Sequence, residues 1–239
     1  MFCLACTMPC SGSLCERCRL ELRPAPEVSV GPGLIGVAGF AHEGPARRLV
    51  HALKYRAVFA AAVPLADAIA ERIPGSATAL VPVPRARLRA FRHGIDPAAV
   101  LADELSLRTG LPVIDAIRPR LWWRRHAGRR RDERSSVPFT PTGVLVPKDA
   151  ALVDDVLTTG ATARAAAAAL EGLPTLVLVA TCASKMKPGE SPYGGAVTVQ
   201  PLSGPADRST LRARTNKAGR FNASSRRSVG QSRNREEYE

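Results

Sequence analysis

A run of aliphatic residues that ends in two adjacent acids, a hydroxyl-rich turn and an alanine-rich stretch constrains this chain more than any other feature. It reads Ala151-Leu152-Val153-Asp154-Asp155-Val156-Leu157-Thr158-Thr159-Gly160-Ala161-Thr162. The aliphatic start is a strand signal, and the alanines beyond Gly160 are a helix signal. A strand that feeds a helix through a short turn is the repeating unit of α/β folds with mostly parallel sheets. The loop from Val153 to Thr162 is then expected at the carboxyl edge of the sheet, where open α/β sheets bind ligands.

The residue types in that loop fit an anion. The free N–H groups and the positive dipole end of the following helix make a phosphate site. Gly160 can adopt a positive φ and lets backbone come close to a phosphate. Thr158, Thr159 and Thr162 can donate hydroxyls to the same oxygens, so the expected phosphate-binding residues run through Val156, Leu157, Thr158, Thr159, Gly160, Ala161 and Thr162. Asp154 and Asp155 are the candidate catalytic acids. They can accept hydrogen bonds from ribose hydroxyls or, with Mg²⁺, help hold a pyrophosphate. The plainer alternative is a capped helix after a strand, with the threonines as caps and Asp154 a solvated edge residue.

The rest of the chain supports one medium α/β core with a small appendage, which is what 239 residues can bury. Residues 1–23 form a cysteine-rich knuckle. Residues 24–34, rich in Pro and Gly, read as a stiff connector that neither a helix nor a central strand would tolerate. Between 35 and 182, strands are predicted at 35–40, 80–83, 151–153 and 175–180, with helices at 45–55, 59–72, 97–109 and 161–170. Residues 183–239 turn to Ser, Arg, Asn, Gly and Pro, the composition of a disordered tail. There is no secretory signal pattern, and no apolar stretch reaches the roughly 20 residues of a membrane span. A soluble, cytoplasmic protein without membrane insertion is expected.

The formal net charge of +13 is concentrated in two places. Residues 118–137 carry eight Arg against Asp132 and Glu133, and residues 183–239 carry eleven cations against five acids. A basic internal loop points to a polyanionic substrate, and a basic tail to loose attraction for nucleic acid. A solvated arginine-rich surface is the alternative for both.

Six cysteines are present, five of them between positions 3 and 18. Cys3-Leu4-Ala5-Cys6 and Cys15-Glu16-Arg17-Cys18 are two C-x₂-C pairs that suit the corners of a tetrahedral Zn²⁺ site. Cys10 is an alternative ligand or a spare thiol, and redox or iron–sulfur use stays open. Cys182, at the end of an apolar strand, reads as a buried core thiol. The four histidines show no pair at metal-ligand spacing; His51 reads as a helix-face residue, and His42, His93 and His126 as loop residues.

The Asp-Asp-hydroxyl loop resembles the phosphoribosyl pyrophosphate motif of type I phosphoribosyltransferases. Together with His51-Ala52-Leu53-Lys54-Tyr55-Arg56, with Val81-Pro82-Val83-Pro84 followed by Arg85, Arg87 and Arg89, and with the knuckle, residues 1–182 resemble the ComF competence-protein family. That resemblance implies a phosphoribosyltransferase domain behind a zinc-ribbon-like N-terminus, with Mg²⁺ and Zn²⁺ as metals. It implies that Pro84 and Arg85 belong to a pyrophosphate loop, where guanidinium forks grip oxygens in pairs. Lys54 could reach the phosphates or simply end its helix in solvent. Residues 118–137 would be a hood bringing Arg124, His126 and Arg134 over the ligand, with Trp122 and Trp123 as base-stacking or packing aromatics. The sequence departs from the family at Asp96, where Asn is usual, at His126, where Gln is usual, and at Ser135-Ser136-Val137, which lacks the usual Asn. Two functions are compatible with these residues. One is an enzyme that moves phosphoribosyl from phosphoribosyl pyrophosphate to a nitrogenous acceptor. The other is a non-catalytic nucleotide sensor in DNA uptake, with DNA or a competence-machinery protein as partner.

Overall fold

The aliphatic runs find partners on both sides because each is too apolar to face water on either. In the computed structural model they form strands β1 (Val28–Gly31), β2 (Leu34–Ala41), β3 (Ala79–Pro82), β4 (Ile117–Pro119), β5 (Phe139–Pro141), β6 (Ala150–Leu157) and β7 (Leu176–Cys182). The structure describes residues 1–85, 95–119 and 139–186, all within Met1–Ala196, the first of two units into which the chain divides. The main sheet has the order β1-β2-β7-β6-β3. Its four strands β2, β7, β6 and β3 are parallel, and β1 closes one edge as an antiparallel partner of β2. Every residue of β3 and β7 is buried, as parallel strands covered on both faces require.

Helices α1 (Glu16–Leu20), α2 (Gly44–Arg56), α3 (Ala62–Ala70), α4 (Pro97–Thr109) and α5 (Ala161–Ala169) supply that cover. Leu49, Leu53, Leu65, Ile69, Leu101 and Leu105 bring α2, α3 and α4 into one buried cluster with Leu80, Val153 and Leu178. The small face of α5 (Ala163, Ala166 and Ala167) packs with Leu152, Val177 and Val179 in the second cluster. α4 is bounded as its sequence demands: Asp96 accepts the Ala98 N–H at its start, Pro97 follows, and Gly110 ends it with φ +75°.

The connections decide where a ligand can bind. From β3 the chain passes through α4 to residues 112–114, which lie outside β3: Leu80 pairs in parallel with Val113. There the Leu80 N–H donates to the Pro112 carbonyl at 2.9 Å, and the Ile114 N–H donates to the Leu80 carbonyl at 2.8 Å. From β6 the chain passes through α5 to β7, on the opposite side. The two crossovers leave neighbouring strands in opposite directions and cover opposite faces. A reversal of this kind, at the carboxyl ends of β3 and β6, is where open α/β sheets bind ligands as a rule.

The expected helices at 45–55, 97–109 and 161–170 and the strands at 35–40, 80–83 and 175–180 stand within two residues of their places. Three expectations change. The helix from 59 begins as a 3₁₀ turn (Phe59–Ala61) and ends at Ala70. β6 continues to Leu157, because β7 keeps pairing with it as far as Leu157↔Cys182, so Asp154 through Leu157 are strand rather than loop. Residues 24–34 are more than a connector: Val28–Gly31 form β1, and the Pro-rich stretch is tolerated because it lies on the sheet edge. The tail and most of the hood, including Arg124, His126 and Arg134, lie outside the described residues, as do Arg87, Arg89, Trp122 and Trp123. The two segments that flank residues 120–138 pair with each other, β4 and β5 running antiparallel through Pro119↔Phe139. Among the described residues no helix is long and apolar enough to cross a membrane.

Candidate functional site

Three separate stretches of sequence meet at the carboxyl ends of β3 and β6. Asp155, in the last turn-ward residues of β6, is 6% exposed. Lys54, in the last turn of α2, places Nζ 2.9 Å from Asp155 Oδ1 and 2.6 Å from Oδ2. Arg85, just beyond β3, sends a guanidinium nitrogen to 3.8 Å from Asp155 Oδ2 and donates to the Lys54 carbonyl at 3.3 Å. The buried Oδ2 thus has two cations beside it but no well-directed hydrogen bond. Asp155 stands at the carboxyl edge of the sheet, as expected of both acids, and there it is the buried counter-ion of Lys54. An α2 lysine reaches it because both lie on the same face of the sheet.

Asp154 is different. It keeps partial exposure and accepts the Asp155 backbone N–H at 2.7 Å. Burial, then the neighbouring Asp155 charge, push its carboxyl well above the usual carboxylate range, while that N–H bond pulls the other way. An acid that resists ionisation at the carboxyl edge of a sheet is a candidate ligand-binding group.

The turn after β6 is Thr158-Thr159-Gly160. Thr158 and Thr159 are exposed, and Thr159 Oγ1 accepts the Ala161 N–H at 3.4 Å, while Thr162 is exposed on the first turn of α5. Gly160 holds φ +71° at the helix start. A Cβ there would lie 2.6 Å from Val30 Cγ1, so glycine is needed for space as well as for conformation. The backbone that closely approaches Gly160 is β1. Val156 and Leu157 sit upstream in the strand, with Leu157 buried in the core, and Pro84 is half-buried beside Arg85.

Three neighbours make contacts here that sequence reasoning did not foresee. His42 follows β2 directly, and its Nδ1 lies 2.8 Å from Oγ1 of the fully buried Thr181 in β7. Burial, followed by Arg47, His51 and Lys54, lowers its pKa below the ordinary histidine value. No local signal could pair residues 139 positions apart. Asp96 does more than cap α4: it also accepts the Arg85 N–H at 3.0 Å, fixing the start of the Arg85 loop, and burial raises its carboxyl despite these bonds. Tyr55 lies under the Arg85 guanidinium at 5.9 Å, with His51 edge-on at 5.2 Å. The Asp-Pro start of α4 was the only readable sign of any of these.

The cysteine knuckle makes a second site. Two backbone turns gather it: Thr7 N–H donates to the Cys3 carbonyl at 2.8 Å, and Arg19 N–H donates to the Cys15 carbonyl at 3.0 Å. The sulfurs of Cys3, Cys6, Cys15 and Cys18 all lie within 4.8 Å of one another, with Cys6 and Cys15 at 3.6 Å. Tetrahedral bonds of about 2.3 Å put sulfurs about 3.8 Å apart, so the cluster could hold a metal ion such as zinc. Cys10 is not in the cluster; its thiol donates to the Gly12 carbonyl at 3.0 Å. Burial raises the Cys3 thiol, but N–H groups of Cys15, Cys6 and Ala5 outweigh it and hold Cys3 at about 6. Burial, then the Cys6 and Cys15 thiols, push Cys18 up to about 12. Crowded thiols that compete for protons in this way are suited to share a cation. The knuckle also shares the main core, since Cys3, Ala5, Leu14 and Cys18 belong to the cluster that contains α2 and α3. Cys182 is buried, as expected, and its thiol is raised by burial.

No protein-family model matches this chain, and no curated protein matches it.

Proposed function

We propose that this chain is a phosphoribosyl-binding α/β protein of the type I phosphoribosyltransferase kind. Its ligand is phosphoribosyl pyrophosphate or another ribose 5-phosphate compound, bound with Mg²⁺ at the carboxyl ends of β3 and β6. Within that class, the knuckle, the Leu53-Lys54-Tyr55 segment and the Val81–Arg85 segment make it a ComF-like protein, cytoplasmic and carrying structural Zn²⁺ on Cys3, Cys6, Cys15 and Cys18. The observation that carries the reading is the meeting, at the carboxyl edge of one sheet, of an acid pair, a Thr-Thr-Gly turn at a helix start, and two cations from distant segments.

The chemistry follows from the charges. Breaking the bond between ribose C1 and pyrophosphate builds positive charge on the sugar and negative charge on the leaving group. Arg85 and Lys54 stand where they can neutralise that leaving group, and Thr158, Thr159 and the first N–H groups of α5 can hold the 5-phosphate. Asp154, the more accessible acid, takes the ribose hydroxyls. Mg²⁺ bound with the pyrophosphate would supply further neutralisation, and its charge would favour the ionised form of Asp154, the more exposed acid. Asp155 keeps Lys54 in place until an anion arrives. Transfer to a nitrogenous acceptor completes the enzyme reading. The sensor reading, with DNA or a competence-machinery protein as partner, rests on Asp96 and His126 standing where the family has amides.

Isothermal titration of the zinc-loaded chain with phosphoribosyl pyrophosphate and Mg²⁺ tests the shared claim, and binding that is lost in Asp154→Asn is the expected result. No heat with the wild-type chain overturns it. Pyrophosphate release across a panel of bases and amines then separates enzyme from sensor.

A further inference from the structure

Arg164 is a residue the phosphate reading does not use, and its position is specific. It lies on the first turn of α5, and its Nη1 donates to two carbonyls at once: Val30 in β1 at 2.7 Å and Thr159 in the turn at 3.0 Å. Its aliphatic stem covers Gly31, where an added Cβ would meet Arg164 Cδ at 3.0 Å. On the other side of the turn, Gly160 lies so close to Val30 that no side chain fits between them. The turn is therefore clamped to the edge strand at two successive residues, by a charged hydrogen bond at Thr159 and by contact at Gly160.

We propose that Arg164 is a positioning residue that holds the Thr158–Gly160 turn in its anion-binding shape, with β1 as the fixed surface it pulls against. The inference rests on the phosphate-site reading of that turn and deepens it. A three-residue turn between a rigid strand and a helix binds an anion well only if its hydroxyls and N–H groups already converge, because ordering them on binding would consume affinity. Arg164 orders the turn from the side away from the ligand, through the Thr159 carbonyl, which leaves the Thr158 and Thr159 side chains exposed. An arginine suits the task because one guanidinium can serve two acceptors in a fixed plane. This gives β1 a role: the hairpin of β1 and β2 is the abutment of the ligand turn as well as the end of the sheet.

The clamp acts on the 5-phosphate end of the site and leaves the Lys54–Arg85 end alone, and this sets the test. Ribose 5-phosphate and inorganic pyrophosphate are titrated separately into wild type, Arg164→Ala and Arg164→Lys, all zinc-loaded. Arg164→Ala is expected to weaken ribose 5-phosphate about tenfold, the loss of roughly one charged hydrogen bond. Pyrophosphate affinity should stay within about twofold, and Arg164→Lys should recover part of the loss, since an ammonium can still donate to one carbonyl. Unchanged ribose 5-phosphate affinity in Arg164→Ala, or equal weakening of both ligands, overturns the proposal. If wild type binds neither ligand, the phosphate reading fails on its own, and the clamp is judged by amide hydrogen exchange at Ala161–Ala163. Faster exchange in Arg164→Ala at unchanged global stability supports the clamp; equal exchange rules it out.

Discussion

The Lys54–Asp155 pair makes an asymmetric prediction. Asp155 has 8% of its side chain exposed and Lys54 22%, with Nζ at 2.6 and 2.9 Å from the two carboxylate oxygens. Replacing Lys54 by Met leaves a buried carboxylate whose nearest remaining cation among the described residues is Arg85 at 3.8 Å. Removing one partner of a buried pair costs about 3–5 kcal/mol, and the partial exposure of Lys54 together with Arg85 lowers this to about 2–3 kcal/mol. Replacing Asp155 by Leu leaves an ammonium on a flexible stem that can turn to water, so the loss is about 1 kcal/mol. The double variant Lys54→Met with Asp155→Leu exchanges the pair for apolar contacts of similar volume and should return to within about 1 kcal/mol of wild type. Urea unfolding of the four proteins at pH 7 with the metal in place gives the full cycle. Equal losses in the two single variants, or a coupling below about 0.5 kcal/mol, would refute the reasoning, because the pair would then be no more than a solvated surface contact.

Asp154 predicts a pH signature. Its folded pKa is raised, so its contribution to stability is complete below the unfolded value near 4 and is lost as pH rises through the folded value. Asp154→Asn is therefore expected to be more stable than wild type at pH 7 and to flatten the fall in stability as pH rises above about 4, read by urea unfolding; a loss at pH 7 contradicts this. Gly160→Ala meets both φ +71° and Val30 Cγ1, and should cost about 2 kcal/mol or more in the same assay. Cys15→Ser and Cys18→Ser should lose bound zinc on dialysis, while Cys10→Ser keeps a full equivalent by elemental analysis; equal loss from all three would break the four-sulfur assignment. Stripping the metal with a chelator should lower the midpoint of thermal unfolding of the whole described fold, because the knuckle lies in the same core as α2.

The sequence by itself determined the local structure of this protein. Four parallel strands could be read from aliphatic runs that no solvated strand would carry, and α4 from Asp96, Pro97 and Gly110, whose backbone preferences act within a few residues. The four-cysteine cluster was legible for the same reason, since each C-x₂-C turn brings its own sulfurs together. The tertiary structure alone decided how far β6 runs, because Val156 and Leu157 are held in the strand by Thr181 and Cys182 of β7. It alone decided the edge strand β1, which exists only because β2 offers it a partner, and the meetings of His42 with Thr181, Lys54 with Asp155, and Arg164 with Val30. Chain periodicity fixes which face a residue presents, but an ion pair across 101 positions depends on the order in which strands are laid side by side. That order is set by packing of the whole sheet and is written in no single segment.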